Sequence, residues 1–66
     1  MTTKTQYEYT ATSWPIHEQP IPPDPNNEWR LAHVVVEHRV EAVGPLAVST
    51  PYQVTGIWEL VWEEAL

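Results

Sequence analysis

The sequence predicts a mainly β protein: a small antiparallel meander of three strands, or of four, with a proline-rich extended arm, completed by self-association. Three observations lead there. β-Branched and aromatic residues gather in stretches of period-two polarity, the signature of half-buried strands. Five prolines, Pro15, Pro20, Pro22, Pro23 and Pro25, fall close together where neither a helix nor a central strand tolerates them. Finally, a 66-residue chain without cysteine is thin, because domains of this size bury only about 60% of the surface they expose when unfolded. With disulfides and cysteine-bound zinc excluded, association of identical chains, most simply a two-fold dimer, is the remaining support. The chain is read as one domain, residues 1–66, with the arm at 14–27.

Residues 1–4 are polar and expected to fray. From Thr5 the polarity alternates, with Tyr7, Tyr9 and Ala11 on one side and Gln6, Glu8, Thr10 and Thr12 on the other, so the first strand is placed at 5–13. The arm follows, closed by a turn at Asp24-Pro25-Asn26-Asn27. Trp14 and Ile16 at its start would pin it to the body or to a neighbouring subunit. Pro20 and Pro23 also fit a P-x-x-P ligand spacing, a short pattern with no flanking basic residue.

Glu28 to Val43 is the longest run without Gly or Pro and is read as the central strand. Its even face, Ala32, Val34, Val36, His38, Val40 and Ala42, is apolar but for one histidine and is expected to be buried throughout. Its odd face begins apolar with Trp29, Leu31 and Val35 and then turns charged at Glu37, Arg39 and Glu41. The apolar start is expected to meet a second subunit or the arm. Val43-Gly44-Pro45 breaks the strand, and 44–51 reads as a long connection whose Leu46 and Val48 fold back or meet a second subunit. Residues 52–64 again show period two, with Tyr52, Val54, Trp58, Leu60 and Trp62 in step. A short helix from Ile57 is the rival, disfavoured by the tryptophans, the β-branched residues and glutamates at a helix's negative end. If the two long segments form a hairpin, even residues oppose even ones, because a one-residue slip turns the wrong face inward. One such register sets Val36 against Trp58, Val34 against Leu60, and His38 against Gly56, where a glycine leaves room for an imidazole.

Charge narrows the function classes. Nine acidic residues against Lys4, Arg30 and Arg39 give a net charge of −6, which repels phosphate backbones and anionic membranes. Duplex nucleic acid is thus an unfavourable partner. Solubility explains the acidity most simply, and mimicry of DNA on a protein's nucleic-acid site is the sharper reading. The N-terminus lacks the apolar core of a signal peptide, and no run approaches the roughly 20 apolar residues of a membrane span. A cytoplasmic protein is expected, in the host cytoplasm if the chain is phage-encoded.

No motif for catalysis stands out, and no enzyme activity or cofactor is expected. His33 and His38, five apart, point to opposite faces of a strand and cannot chelate one metal, and His17 lies in the arm. Glu37 with Glu41 and Glu59 with Glu63 share solvent-facing sides, whereas acid–base work needs a partly dry cavity. Ser13 and Ser49 lack a nucleophile-elbow context, and Gly44 and Gly56 are isolated. The candidate contact residues are therefore Trp29, Arg30, Arg39 and Trp14. Tryptophan and arginine anchor interfaces, and they also stack on and neutralise nucleotides.

Asn27-Glu28-Trp29-Arg30-Leu31-Ala32, with Tyr7-Glu8-Tyr9 before it and Trp58 to Trp62 after it, resembles the small DUF4177-like proteins of bacteria and phages. In those, a Gly-Trp-Glu-Leu-Val-like motif opens the middle strand of a three-stranded sheet. The prolines of this chain stand where that family has a helix. The resemblance implies a small oligomeric accessory protein. The expected function is then a non-enzymatic, oligomeric binding protein, phage-encoded, that binds or inhibits a host protein. The alternative is a sponge that holds a small nucleotide signal in a pocket between subunits.

Overall fold

The computed structural model describes residues 2–66; Met1 lies outside them. Three strands, β1 (Thr3–Pro15), β2 (Arg30–Val43) and β3 (Leu46–Ala65), form one antiparallel sheet. The order across the sheet is β1-β3-β2. The antiparallel, three-stranded, small-β expectation holds, but the meander does not: the last strand is central and Glu28 to Val43 supplies an edge. Thr3 and Lys4 are paired with Ala65 and Glu64 rather than frayed.

The physical reason for this order lies at Gly56. On β3 the residues Val54, Gly56 and Trp58 point to one face and are buried. A Cβ built on Gly56 would lie 2.5 Å from Cη2 of Trp14 and 2.7 Å from Cδ1 of Leu31. One side chain from each outer strand therefore leans over the bare backbone of the middle one. Trp14 (4% exposed), Val54 and Trp58 (7% each) make the core, with Ile16, Trp29 and Leu31 packed around them. The Trp14 and Trp58 rings sit tilted, their centroids 6.1 Å apart, a favourable aromatic geometry. Trp14 thus belongs to β1 and to the core, not to the start of an arm, and β1 runs on through Pro15.

The expected register fails for the same reason. Val34 pairs with Gly56, Val36 with Val54, Leu31 with Trp58 and His38 with Pro51. The space over Gly56 goes to Trp14 and Leu31, not to His38. Two irregularities shift the pairing, one that leaves Ala32 without a partner and one that leaves Tyr52 without a partner on β2. Val34, Val36 and Val40, expected in the core, are 44%, 41% and 67% exposed. On the odd side Leu31 is absorbed by the chain's own core while Val35 stays exposed.

The expected long connection at 44–51 is a two-residue turn followed by strand. Gly44 has φ +61°, and Pro45, held near −65° by its ring, cannot take the positive φ that a type I′ turn needs. Gly at the first central position and a negative φ at the second is the type II′ arrangement that suits a tight hairpin. Pro51 is tolerated inside β3 because β1 reaches only to Gln53, so one side of the strand has no neighbour there. Residues 57–64 are strand, not helix.

The strands are staggered. β1 pairs with residues 53–65 of β3 and β2 with 46–59, so three strands lie abreast only at 53–59, where the buried residues are. Two-stranded arms extend beyond: a hairpin arm of 38–43 with 46–51, and a terminal arm of 3–8 with 60–65. The protein measures 67 × 19 × 10 Å, the long axis matching twenty residues of β3 at about 3.3 Å each. Residues 16–29 join the two outer strands across one face of the centre and hold neither helix nor strand. Thr12 anchors this crossing: its hydroxyl donates to the Ile21 carbonyl and accepts from Trp58 Nε1 at 2.7 Å. Asp24 closes a turn through Asn26 N and Asn27 Nδ2 at 2.9 and 2.7 Å.

Gly56→Ala is expected to destabilise the fold by about 1–3 kcal/mol through overpacking against aromatic and branched side chains. Gly44→Ala meets no neighbour within 4 Å and should lose only the cost of a strained positive φ at a residue with a Cβ, about 1–3 kcal/mol. Urea unfolding followed by tryptophan fluorescence measures both, and an unaffected Gly56→Ala variant would contradict this core.

Candidate functional site

On the face away from the crossing segment, polar side chains tie the three strands together. Glu59, in the middle strand, accepts from Tyr9 Oη of β1 at 2.6 Å and from Arg30 Nη2 of β2 at 3.1 Å. A second row joins Ser13 and Thr55 hydroxyls at 2.9 Å, and Thr55 donates to Glu37 at 3.1 Å. Thr5 donates to Glu63 at 2.8 Å. Each contact follows from the register, since cross-strand partners share a face.

The electrostatics of this face centre on Glu59. The hydrogen bond from Tyr9 and then that from Arg30 favour the ionised carboxylate and hold its pKa below the ordinary value. The same bond to Glu59 raises the pKa of Tyr9, because a phenolate beside a carboxylate loses the bond and meets like charge.

The four sequence-predicted contact residues separate. Trp14 is in the core and offers a partner no surface. Trp29 and Arg30 stand together at the start of β2, beside an open groove of about 490 Å³ lined also by Glu28, Glu59 and Val61. Trp29 is half-buried and its Nε1 is buried without an acceptor. Arg39 lies in the hairpin arm, at the level of Thr50 where Arg30 is at the level of Glu59. Nine residues of β3, about 30 Å, separate the two arginines. Within one chain they cannot grip one ligand.

Arg39 instead spreads over the Tyr52 ring, 5.2 Å from its centroid, a cation–π contact. These two, with Glu41 and Thr50, line a second, smaller open groove of about 220 Å³. The sequence marks Glu41 and Glu59 only as members of solvent-facing carboxylate pairs, and Tyr52 only as part of a strand's alternation, not as contact residues. The alternation Glu37, Arg39, Glu41 was a signal for Glu41, but the partners of Tyr52 and Glu59 depend on register. Among the described residues no three His, Cys, Asp or Glu side chains gather to hold a metal ion, and no helix is long and apolar enough to cross a membrane.

Chemically, the molecule presents two shallow grooves, one stacked arginine and long rows of exposed apolar side chains. Tyr7, Tyr9, Val43, Leu46, Val61 and Trp62 are all at least 42% exposed. Compared with protein-family models, curated proteins and solved structures, the chain matches none.

The Glu59 cluster makes a pH prediction. Its folded pKa is lowered, so its contribution is complete above the pKa of the unfolded chain and is lost as pH falls through the lowered folded value. Thermal midpoints followed downward from pH 7 should fall in that acid range for the wild type and fall less for Glu59→Gln. In the same variant Tyr9 should ionise at lower pH than in the wild type, read by ultraviolet absorbance. An unchanged phenol titration would remove Glu59 as its partner.

Proposed function

We propose that this chain is a non-enzymatic binding protein that self-associates and acts by occupying a surface of a protein partner, as a phage accessory protein that binds or inhibits a host protein would. The observation that carries this reading is area. The chain exposes 5269 Å², whereas a compact monomer of 7.6 kDa exposes about 4,300 Å². The excess, about 1,000 Å², is comparable to the roughly 800 Å² that each partner buries in a specific protein–protein interface. Its radius of gyration, 17.7 Å, against about 11 Å for a compact chain of this length, says the same of shape. A sheet 10 Å thick has no second layer to enclose a dry site, and this supports binding over catalysis.

The target favoured is a protein, because the net charge of −6 repels nucleic acid and anionic lipid while exposed Tyr, Trp and Val rows suit apolar contact. The family that the Trp29-Arg30-Leu31 segment resembles would be in keeping with a small oligomeric accessory role. A nucleotide sponge is the second reading, favoured by Trp29 beside Arg30 in an open groove. Glu28 and Glu59 in the same wall weigh against a phosphate there.

The test is recovery and reconstitution of a target. Tagged chain is passed through lysate of the expressing cell, the retained protein is purified, and the pair is titrated. Binding of that one protein is expected, at least tenfold weaker in 500 mM than in 50 mM salt, with no thermal shift from cyclic dinucleotides. A nucleotide shift that Arg30→Ala abolishes, with no protein bound, would replace this reading by the sponge.

A further inference from the structure

The two-stranded hairpin arm has one bulky face and one slight one. Its ladder is regular from the Arg39–Thr50 pair through Glu41–Val48 to Val43–Leu46. Cross-strand partners share a face and faces alternate along each strand, so these six side chains project together, joined by Tyr52 through its contact with Arg39. The opposite face carries Ala42, Ala47, Val40, Ser49 and His38. On the bulky face Leu46 is 68% exposed, Val43 57%, Val48 44% and Tyr52 42%. The arm has no third strand, and the crossing segment covers the centre of the sheet instead. A lone two-stranded ribbon is marginal in water.

We propose that this bulky face packs against the same face of a second copy about a two-fold axis, with Arg39 of each chain opposite Glu41 of the other. The proposal rests on the self-association reading above and assigns its surface. What selects a second copy is the pattern itself. Arg39 and Glu41 lie two residues apart on one strand, one step either side of Val40. Place a two-fold axis between two stacked sheets, across the strands at the level of Val40 and Ser49. It sets each chain's Arg39 over the partner's Glu41, and each chain's Leu46 over the partner's Tyr52. Among the described residues the sole ion pair is Arg30 with Glu59, so both Arg39 and Glu41 are available. An isologous interface needs this kind of self-complementary surface, and opposite charges facing each other fix register while apolar contact supplies affinity. The area excess is what such a contact would begin to cover.

The test is a charge swap read by light scattering and sedimentation from about 5 to 200 μM, with circular dichroism to confirm folding. Wild type is expected to be a dimer. Arg39→Glu alone sets acid against acid twice, and Glu41→Arg alone sets base against base twice, so each should dimerise at least tenfold more weakly. Mixing the two single variants should restore dimer mass, because each then meets its complement at both contacts, and the double variant should dimerise alone. Single variants as tight as wild type, or weakened variants that mixing fails to restore, would overturn this docking face and leave self-association standing. Wild type that stays monomeric throughout would overturn both.

Discussion

A missing side chain holds this structure together. At Gly56 the middle strand offers bare backbone, and the gap admits Trp14 from one neighbour and Leu31 from the other. Any Cβ there would push them apart. Because the two come from opposite outer strands, the gap also decides which strand is in the middle. Order, register and core location follow from one small volume filled from both sides, which close-packed interiors demand. The remaining packing is secondary to it: Val54 and Trp58 flank the gap along β3, and Thr12 tethers the crossing segment above it.

The two faces then divide the work. One is apolar and carries the core under residues 16–29. The other is laced by hydroxyls and carboxylates, with Glu59 bridging all three strands through Tyr9 and Arg30. Neither arrangement extends to the ends. The stagger concentrates burial in the seven-residue overlap and leaves both arms as ribbons, so the surfaces available to other molecules lie away from the chain's own core. Trp29 and Arg30 sit at the boundary of the overlap, and Arg39 lies well outside it. This separation makes any combined use of the two arginines a matter for more than one chain.

Much of the strand content was legible in sequence, because period-two alternation around Tyr7, Tyr9 and Ala11, or around Tyr52, Val54 and Trp58, follows directly from the pleat. Strand order was not. Val34, Val35 and Val36 look like a buried middle because β-branched density usually accompanies burial, yet burial depends on how many neighbours a strand has. Gly56 makes room that the sequence offers to His38; a tryptophan seventeen residues before Leu31 leaves no local trace of meeting it there. In the sequence Pro51 marks the end of a connection, since prolines are excluded from central strands, and nothing local shows that β1 stops two residues short of it. Trp29 and Arg30 were legible as a pair. The stacking of Arg39 on Tyr52 was hidden, because the unpaired residue at position 52 breaks the parity on which register arguments rest.

The pairing of Thr3 with Ala65 bears on how the chain reaches this shape. The β2–β3 hairpin is local: its turn is two residues long, and it can close once its second strand has been synthesised. β1 is the opposite case. Its neighbour in space is β3, made after β2, so β1 has nowhere to dock until both later strands have emerged. Pairing across such sequence separation is entropically expensive and slow. Trp14, which completes the core, is therefore synthesised before the other core residues and is among the last of them to be buried. During that interval the nascent chain carries an unpaired strand edge and an exposed tryptophan.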